Sequence, residues 1–137
     1  MSSVYLMSWK APKKIPNSLN LLPNDYRIIA ISIQDVGDQD KWSRLVMEAV
    51  DKERYILVGE KISSNNLLKV FALKELATRI SFVETAKVKF KSYYNTVLSN
   101  KCANLVRFNL DNTKLVFCGC QLEYGRELQA NRIRNLK

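Results

Sequence analysis

There is no histidine anywhere in the 137 residues. That absence excludes Ser/His/Asp and Cys/His catalytic sets, and it leaves no side chain whose ordinary pKa suits proton transfer near neutral pH. Any such chemistry would fall to carboxylates, lysines or a bound metal. Glycine is scarce, with four in the chain and no clustered run, so a glycine-rich phosphate loop is excluded too. The three cysteines, Cys102, Cys118 and Cys120, are an odd number, and no Asn-x-Ser/Thr sequon accompanies them. The pattern suits reduced thiols acting as small apolar residues rather than a disulfide framework. Without histidine, a four-ligand zinc site cannot be assembled from them. No uncharged apolar run approaches the length of a membrane-spanning helix. Met1 to Met7 lacks the basic start and long apolar core of a signal peptide, so the expected location is the cytoplasm.

What is present is a basic, foldable chain. The hydrophobic fraction of 47% supports a packed core, and the length is one domain's worth. Lysine and arginine total 22 against 13 acids, a net charge of +9 that attracts phosphates of any kind: nucleic acid, anionic lipid or soluble polyanion.

The most informative stretch is Tyr26 to Asp35, an apolar, β-branched run ending in an amide and a carboxylate. It reads as a strand covered on both faces, with Gln34 and Asp35 at its end, where sites in layered α/β proteins collect. Val4 to Trp9 reads as a strand before it, and Lys10 to Asp25 as a loop holding all three prolines and the basic residues Lys10, Lys13 and Lys14. After Gly37, Asp38 offers an N-cap for a helix to about Asp51, with Trp42, Leu45, Val46, Ala49 and Val50 on one stripe. Tyr55–Lys61 and Leu67–Leu73 read as a hairpin around 63–66, followed by a helical connector from Lys74 to Thr78. Arg79–Phe90 alternates, with Ile80, Phe82, Ala86, Val88 and Phe90 on one side and Lys87, Lys89 and Lys91 on the other. A loop follows, then a second hairpin of Cys102–Leu110 and Lys114–Leu122, and a helical composition from Glu127 to Lys137. This order fits an α/β protein with a mixed or antiparallel sheet.

Read one at a time, the polar features are ambiguous. Asp35 suits a magnesium ligand, since a hard cation wants oxygen donors, but a strand-terminal Asp taken alone more often serves as a turn residue or cap. Lys87, Lys89 and Lys91 with Phe90, Tyr93 and Tyr94 form a strip that can hold phosphates or stack bases, and equally an ordinary solvent-facing strand. Asn100 and Lys101 can present an amide and an ammonium to an anion, or simply a turn.

Taken together, their order resembles the N-terminal half of an inositol polyphosphate 5-phosphatase catalytic domain, of the endonuclease/exonuclease/phosphatase superfamily. Ser8-Trp9-Lys10 resembles the family's Thr-Trp-Asn, Ile33-Gln34-Asp35 its Phe-Gln-Glu, and Lys41-Trp42 the opening of its next helix. Leu73-Lys74-Glu75-Leu76 through Ile80-Ser81 looks like its Lys-Glu-Leu connector and following strand. Ser99-Asn100-Lys101-Cys102 stands where the family has Gly-Asn-Lys-Gly, and Phe117 to Leu122 where it has Phe-x-x-Ser-His-Leu.

The resemblance implies half of a four-layer, DNase I-like α/β sandwich, with residues 1–137 a partial 5-phosphatase-like domain. It implies magnesium-dependent dephosphorylation of an inositol phosphate or phosphoinositide, with Asp35 at the metal, and Gln34, Asn100 and Lys101 near the substrate. The departures are specific. Lys10 replaces the metal-side Asn, Gln121 the His, and Cys102 the second Gly, while the later Asn-x-Asp looks like Asn131-Arg132-Ile133. The family's Gly-Asp-x-Asn and Ser-Asp-His motifs lie in a second half expected to be absent here. The expectation is therefore a phosphatase-like chain inactive alone, holding magnesium poorly, with Lys10, Lys13, Lys14, Lys87, Lys89 and Lys91 as an anion-binding surface, in the cytoplasm or peripheral at membranes. Two alternatives stand beside it: a non-catalytic protein that binds phosphoinositide or a partner completing the sandwich, and a basic nucleic-acid-binding module.

Overall fold

A computed structural model describes residues 3–19, 25–63, 65–89, 101–122 and 133. Among the described residues, seven strands, the α-helix Gln39–Ala49 and a 3-10 turn form three layers: helix, four-stranded sheet, three-stranded sheet. The first sheet has the order β1 (Val4–Lys10), β2 (Ile28–Gln34), β4 (Asn66–Leu73), β3 (Tyr55–Ser63). β1 and β2 run parallel, and the other pairs are antiparallel. The second sheet is an antiparallel meander, β5 (Ile80–Lys89), β6 (Cys102–Leu110) and β7 (Thr113–Cys120).

β2 is buried at all six positions from Ile28 to Ile33 because both of its faces are covered, as its unbroken apolar run predicts. Ile29, Ile31 and Ile33 join one cluster with Trp42, Leu45 and Val46 of helix α1 (Gln39–Ala49). Ile28 and Ala30 join a second cluster, with Val106, Phe108 and Phe117 of the second sheet. The helix begins where Asp38 caps it, accepting a hydrogen bond from the Lys41 amide at 3.0 Å. It ends at Ala49, slightly before the expected Asp51, as Val50 turns extended to enter the core. The connector after β4 is the 3-10 turn Lys74–Arg79, and Leu76 buries into the inter-sheet cluster.

The simple alternation expected for β5 is broken. Pairing with β6 slips between Ser81 and Glu84, and Phe82 sits at φ 52 with its ring 77% exposed. An extra residue in one strand rotates everything beyond it. The lysines do alternate against Ala86 and Val88, but Lys87 and Lys89 pair with Asn104 and Cys102, on the face of the second sheet turned toward the first. Phe90, Lys91, Tyr93, Tyr94, Asn100 and the expected C-terminal helix, apart from Ile133, lie outside the described residues.

The four sheet edges differ. β3 and β5 each contain a register shift and carry charges, Glu60 and Lys61 on one, Glu84, Lys87 and Lys89 on the other. Such features discourage strand addition. β1 from Val4 to Trp9 and β7 from Leu115 to Cys120 are uncharged. Between them runs an apolar groove of about 550 Å³, lined by Val4, Leu6, Leu115, Val116 and Phe117 among others.

Candidate functional site

The C-terminal ends of β1 and β2 lie side by side, with Lys10 paired to Gln34. The chain then turns sharply. Asp35 adopts φ 57, a left-handed conformation that aspartate tolerates better than most residues. The turn is fixed on both flanks: the Ala11 amide donates to the Gln34 carbonyl at 2.8 Å, and the Val36 amide to Asn65 at 2.8 Å. This holds the Asp35 side chain at the end of the sheet.

Two amide side chains join the sheets here. Gln34 Nε2 donates to the Cys120 carbonyl at 2.9 Å. From the other direction, buried Gln121 donates through Nε2 to Asp35 Oδ1 at 2.5 Å, while its own backbone amide is held by the Cys102 carbonyl at 3.1 Å. The second Asp35 oxygen, Oδ2, meets Lys10 Nζ at 3.2 Å. The two sheets approach closely beside this point, since a Cβ at Gly119 would meet Ser32 Oγ at 2.4 Å. A larger residue there would fit only if the Ser32 side chain or one of the strands moved.

Charge at the site is balanced locally. Burial works against ionisation of Asp35, but the Gln121 amide, Lys10 and more distant Lys101 outweigh it and hold the carboxyl below the ordinary aspartate range. The folded state therefore binds this proton less readily than the unfolded chain. The stability Asp35 supplies is complete above about pH 4, the unfolded value, and is lost as pH falls through the lower folded value. Asp35→Asn should accordingly be less stable than wild type at pH 7, with the gap narrowing on acidification. Thermal midpoints measured from pH 7 to pH 3 check this, and a gap independent of pH would contradict it.

Behind the site is a polar cluster that sequence reasoning missed. Asn104, fully buried, donates from Nδ2 to the carbonyls of Lys61 at 3.2 Å and Asn66 at 3.1 Å, and its Oδ1 accepts from Ser63 Oγ. Asn66 Nδ2 reaches Cys102 Sγ at 3.3 Å. The signal was available in β6, where Cys102, Asn104, Val106, Phe108 and Leu110 form the buried side and one amide interrupts an apolar set. The sequence marks Gln121 only as a departure from a motif, and the fold makes it a partner of Asp35.

Of the expected site residues, Lys10 pairs with Gln34 in register and with Asp35 by charge, and Lys101 is near enough for its charge to act on Asp35. Lys87 and Lys89 reach the same end of the second sheet through their pairing with Asn104 and Cys102. Lys13 and Lys14 are exposed on the loop after β1, and Lys91 and Asn100 lie outside the described residues.

The side chains present do not fit the magnesium site that the resemblance implies. Magnesium is held by carboxylates and waters in near-ideal octahedral geometry. Here one carboxylate has an ammonium on one oxygen and an amide N–H on the other. Among the described residues, no three of His, Cys, Asp and Glu gather in a group that could hold a metal ion.

No characterised protein matches the chain by sequence alone. Solved structures do match in shape. The inositol polyphosphate 5-phosphatase domain of SpSynaptojanin, in complex with inositol (1,4)-bisphosphate and calcium, superposes with a TM-score of 0.74 at 19% identity, over 98% of this chain and 45% of that one. A Cimex nitrophorin, as a ferrous NO complex, superposes with a TM-score of 0.71 at 17% identity, over 89% of this chain and 47% of that one. The chain thus spans less than half the length of either neighbour. Both likenesses concern the fold, the DNase I-like arrangement of mixed α/β character with two packed sheets, and the pair illustrates that one fold serves different chemistries. A family model matches almost the whole chain, residues 8–137, and the protein belongs to endonuclease/exonuclease/phosphatase family 2.

Proposed function

We propose that the chain recognises an inositol phosphate headgroup and does not hydrolyse it. The observation that carries this reading is the gathering of Lys10 and Lys101 around Asp35, with Lys87 and Lys89 at the same end of the second sheet. Ammonium groups held on rigid strands bind phosphate oxygens by charge-assisted hydrogen bonds. A structural neighbour that carries inositol (1,4)-bisphosphate supports the choice of headgroup. Hydrolysis is left out because the carboxylate that should hold magnesium is committed to Lys10 and Gln121.

In cells this reading takes the protein to the cytoplasmic face of membranes. Vesicle sedimentation at physiological salt tests it. Vesicles containing a phosphatidylinositol bisphosphate should pellet the chain, phosphatidylserine vesicles of equal charge should not, and soluble inositol (1,4)-bisphosphate should compete. Equal pelleting by both lipids would reduce the interaction to charge alone. Competition by an oligonucleotide, but not by the inositol phosphate, would favour nucleic acid instead.

A second reading is favoured by the edges. The uncharged stretches of β1 (4–9) and β7 (115–120) flank the apolar groove, and Leu6 and Val116 beside it are 69% and 57% exposed. A polypeptide that adds a strand to β7 would cover both residues by β-augmentation. The occupant we favour is the kind of segment that the longer SpSynaptojanin domain carries beyond the matched part. Co-expression with that segment should slow hydrogen exchange at Val116–Cys120 while leaving β3 unchanged. Unaltered exchange in β7 would count against it.

A further inference from the structure

Three residues at the site depart from the 5-phosphatase pattern, and the fold brings all three into contact. Lys10 stands for the metal-side Asn, Asp35 for the metal-binding Glu, and Gln121 for the His. Viewed separately, Lys10 and Gln121 are losses, while Asp35 is a shorter carboxylate in the same place. Together they form a closed set, in which Lys10 Nζ lies 3.2 Å from Asp35 Oδ2 and Gln121 Nε2 lies 2.5 Å from Asp35 Oδ1.

The chemistry of the set is complementary. A lone carboxylate at a strand end needs a positive partner, and Lys10 supplies one from the adjacent strand, where it is in register with Gln34. The other oxygen needs a donor, and the amide Nε2 is one at every pH, whereas a given imidazole nitrogen donates only when it carries the proton. Gln121 is held for that role by burial and by its backbone bond to Cys102. The amide must present Nε2 to Asp35, because Oε1 would face a carboxylate oxygen of like charge. A divalent ion entering here would have to displace the ammonium or share the carboxylate with it, and a single acid cannot neutralise both.

We propose that the Lys10 ammonium is the site's resident cation: the chain has exchanged a bound divalent metal for an internal one, locked by Asp35 and Gln121. The geometry rests on the ion pair alone, although its use, a phosphate docking on the ammonium without magnesium, rests on the headgroup reading above. Lys101, whose charge already acts on Asp35, adds to the positive field that a phosphate would meet there.

The test uses Mn²⁺ alone as probe, followed by electron paramagnetic resonance, so that its outcome does not depend on inositol phosphate binding. Wild-type chain should bind Mn²⁺ weakly. The double variant Lys10→Asn/Gln121→His should bind it at least about tenfold more tightly, and a further Asp35→Asn should abolish the gain. Lys10→Met keeps the aliphatic stem while removing the charge, and it should raise affinity severalfold even if the double variant folds poorly. The proposal is overturned if wild type binds Mn²⁺ as tightly as the double variant, or if neither Lys10 variant binds better than wild type.

Discussion

Trp42→Ala is expected to destabilise the chain by about 4 kcal/mol, as large aromatic truncations in a well-packed core do. Trp42 is 1% exposed, at the centre of the stripe that seats α1 on the first sheet. Its ring meets Trp9 edge-to-face, with centroids 5.6 Å apart and planes at 89°. That arrangement contributes beyond the area it buries. Alanine would leave a cavity under the helix, in the buried cluster that also holds Ile31, Leu45 and Val46. The effect reaches the site as well, because Trp9 immediately precedes Lys10. Trp42→Phe, which keeps an aromatic ring, should cost roughly half as much. Urea unfolding checks both, as a lower midpoint at unchanged slope. A loss below about 1 kcal/mol for the alanine variant would mean that the helix is not seated as described.

Glu60→Ala should cost about 2 to 3 kcal/mol, more than its surface position suggests. Its partner is Lys69, directly opposite in the β3–β4 register and only 2% exposed, whose Nζ contacts Glu60 Oε2. Lys69 lies on the face of β4 that carries Leu67 and Phe71, so its ammonium is reached chiefly from the Glu60 side. Removing the carboxylate leaves a buried charge unpaired, which typically costs 3 to 5 kcal/mol. The 43% exposure of Glu60 lets water recover part of that. Replacing Lys69 by Met should be nearly neutral or stabilising, because the buried ammonium is gone and the remaining Glu60 carboxylate, 43% exposed, is solvated by water. In a double-mutant cycle, Glu60→Ala/Lys69→Met should recover most of what Glu60→Ala loses. A double variant as unstable as the single one would remove the ion pair as the cause.

Much of the architecture could be read from the sequence because it rests on local rules. β2 announces itself by an unbroken apolar run, α1 by a cap and a stripe, and the two hairpins by polar turns between apolar strands. What escaped depends on contacts distant in the chain. No period in the sequence reveals the slip at Phe82, since a bulge adds one residue without changing composition. Lys69 is a lone charge in an apolar strand and Asn104 a lone amide in another, and only the second layer and the opposing strand show that they are buried and paired. At the site, the resemblance marked Lys10, Asp35 and Gln121 as altered positions. Their mutual contact requires β1, β2 and the segment after β7 to meet at one corner, a fact of topology rather than of pattern.

The most direct measurement is a calorimetric titration of inositol (1,4)-bisphosphate into the purified chain, once with EDTA and once with millimolar magnesium. A cation already resident as Lys10 predicts the same affinity in both, within about twofold, and a loss of about tenfold in Lys10→Ala, the size of one charge-assisted hydrogen bond. Binding that appears only with magnesium, or release of inorganic phosphate during the titration, would contradict it.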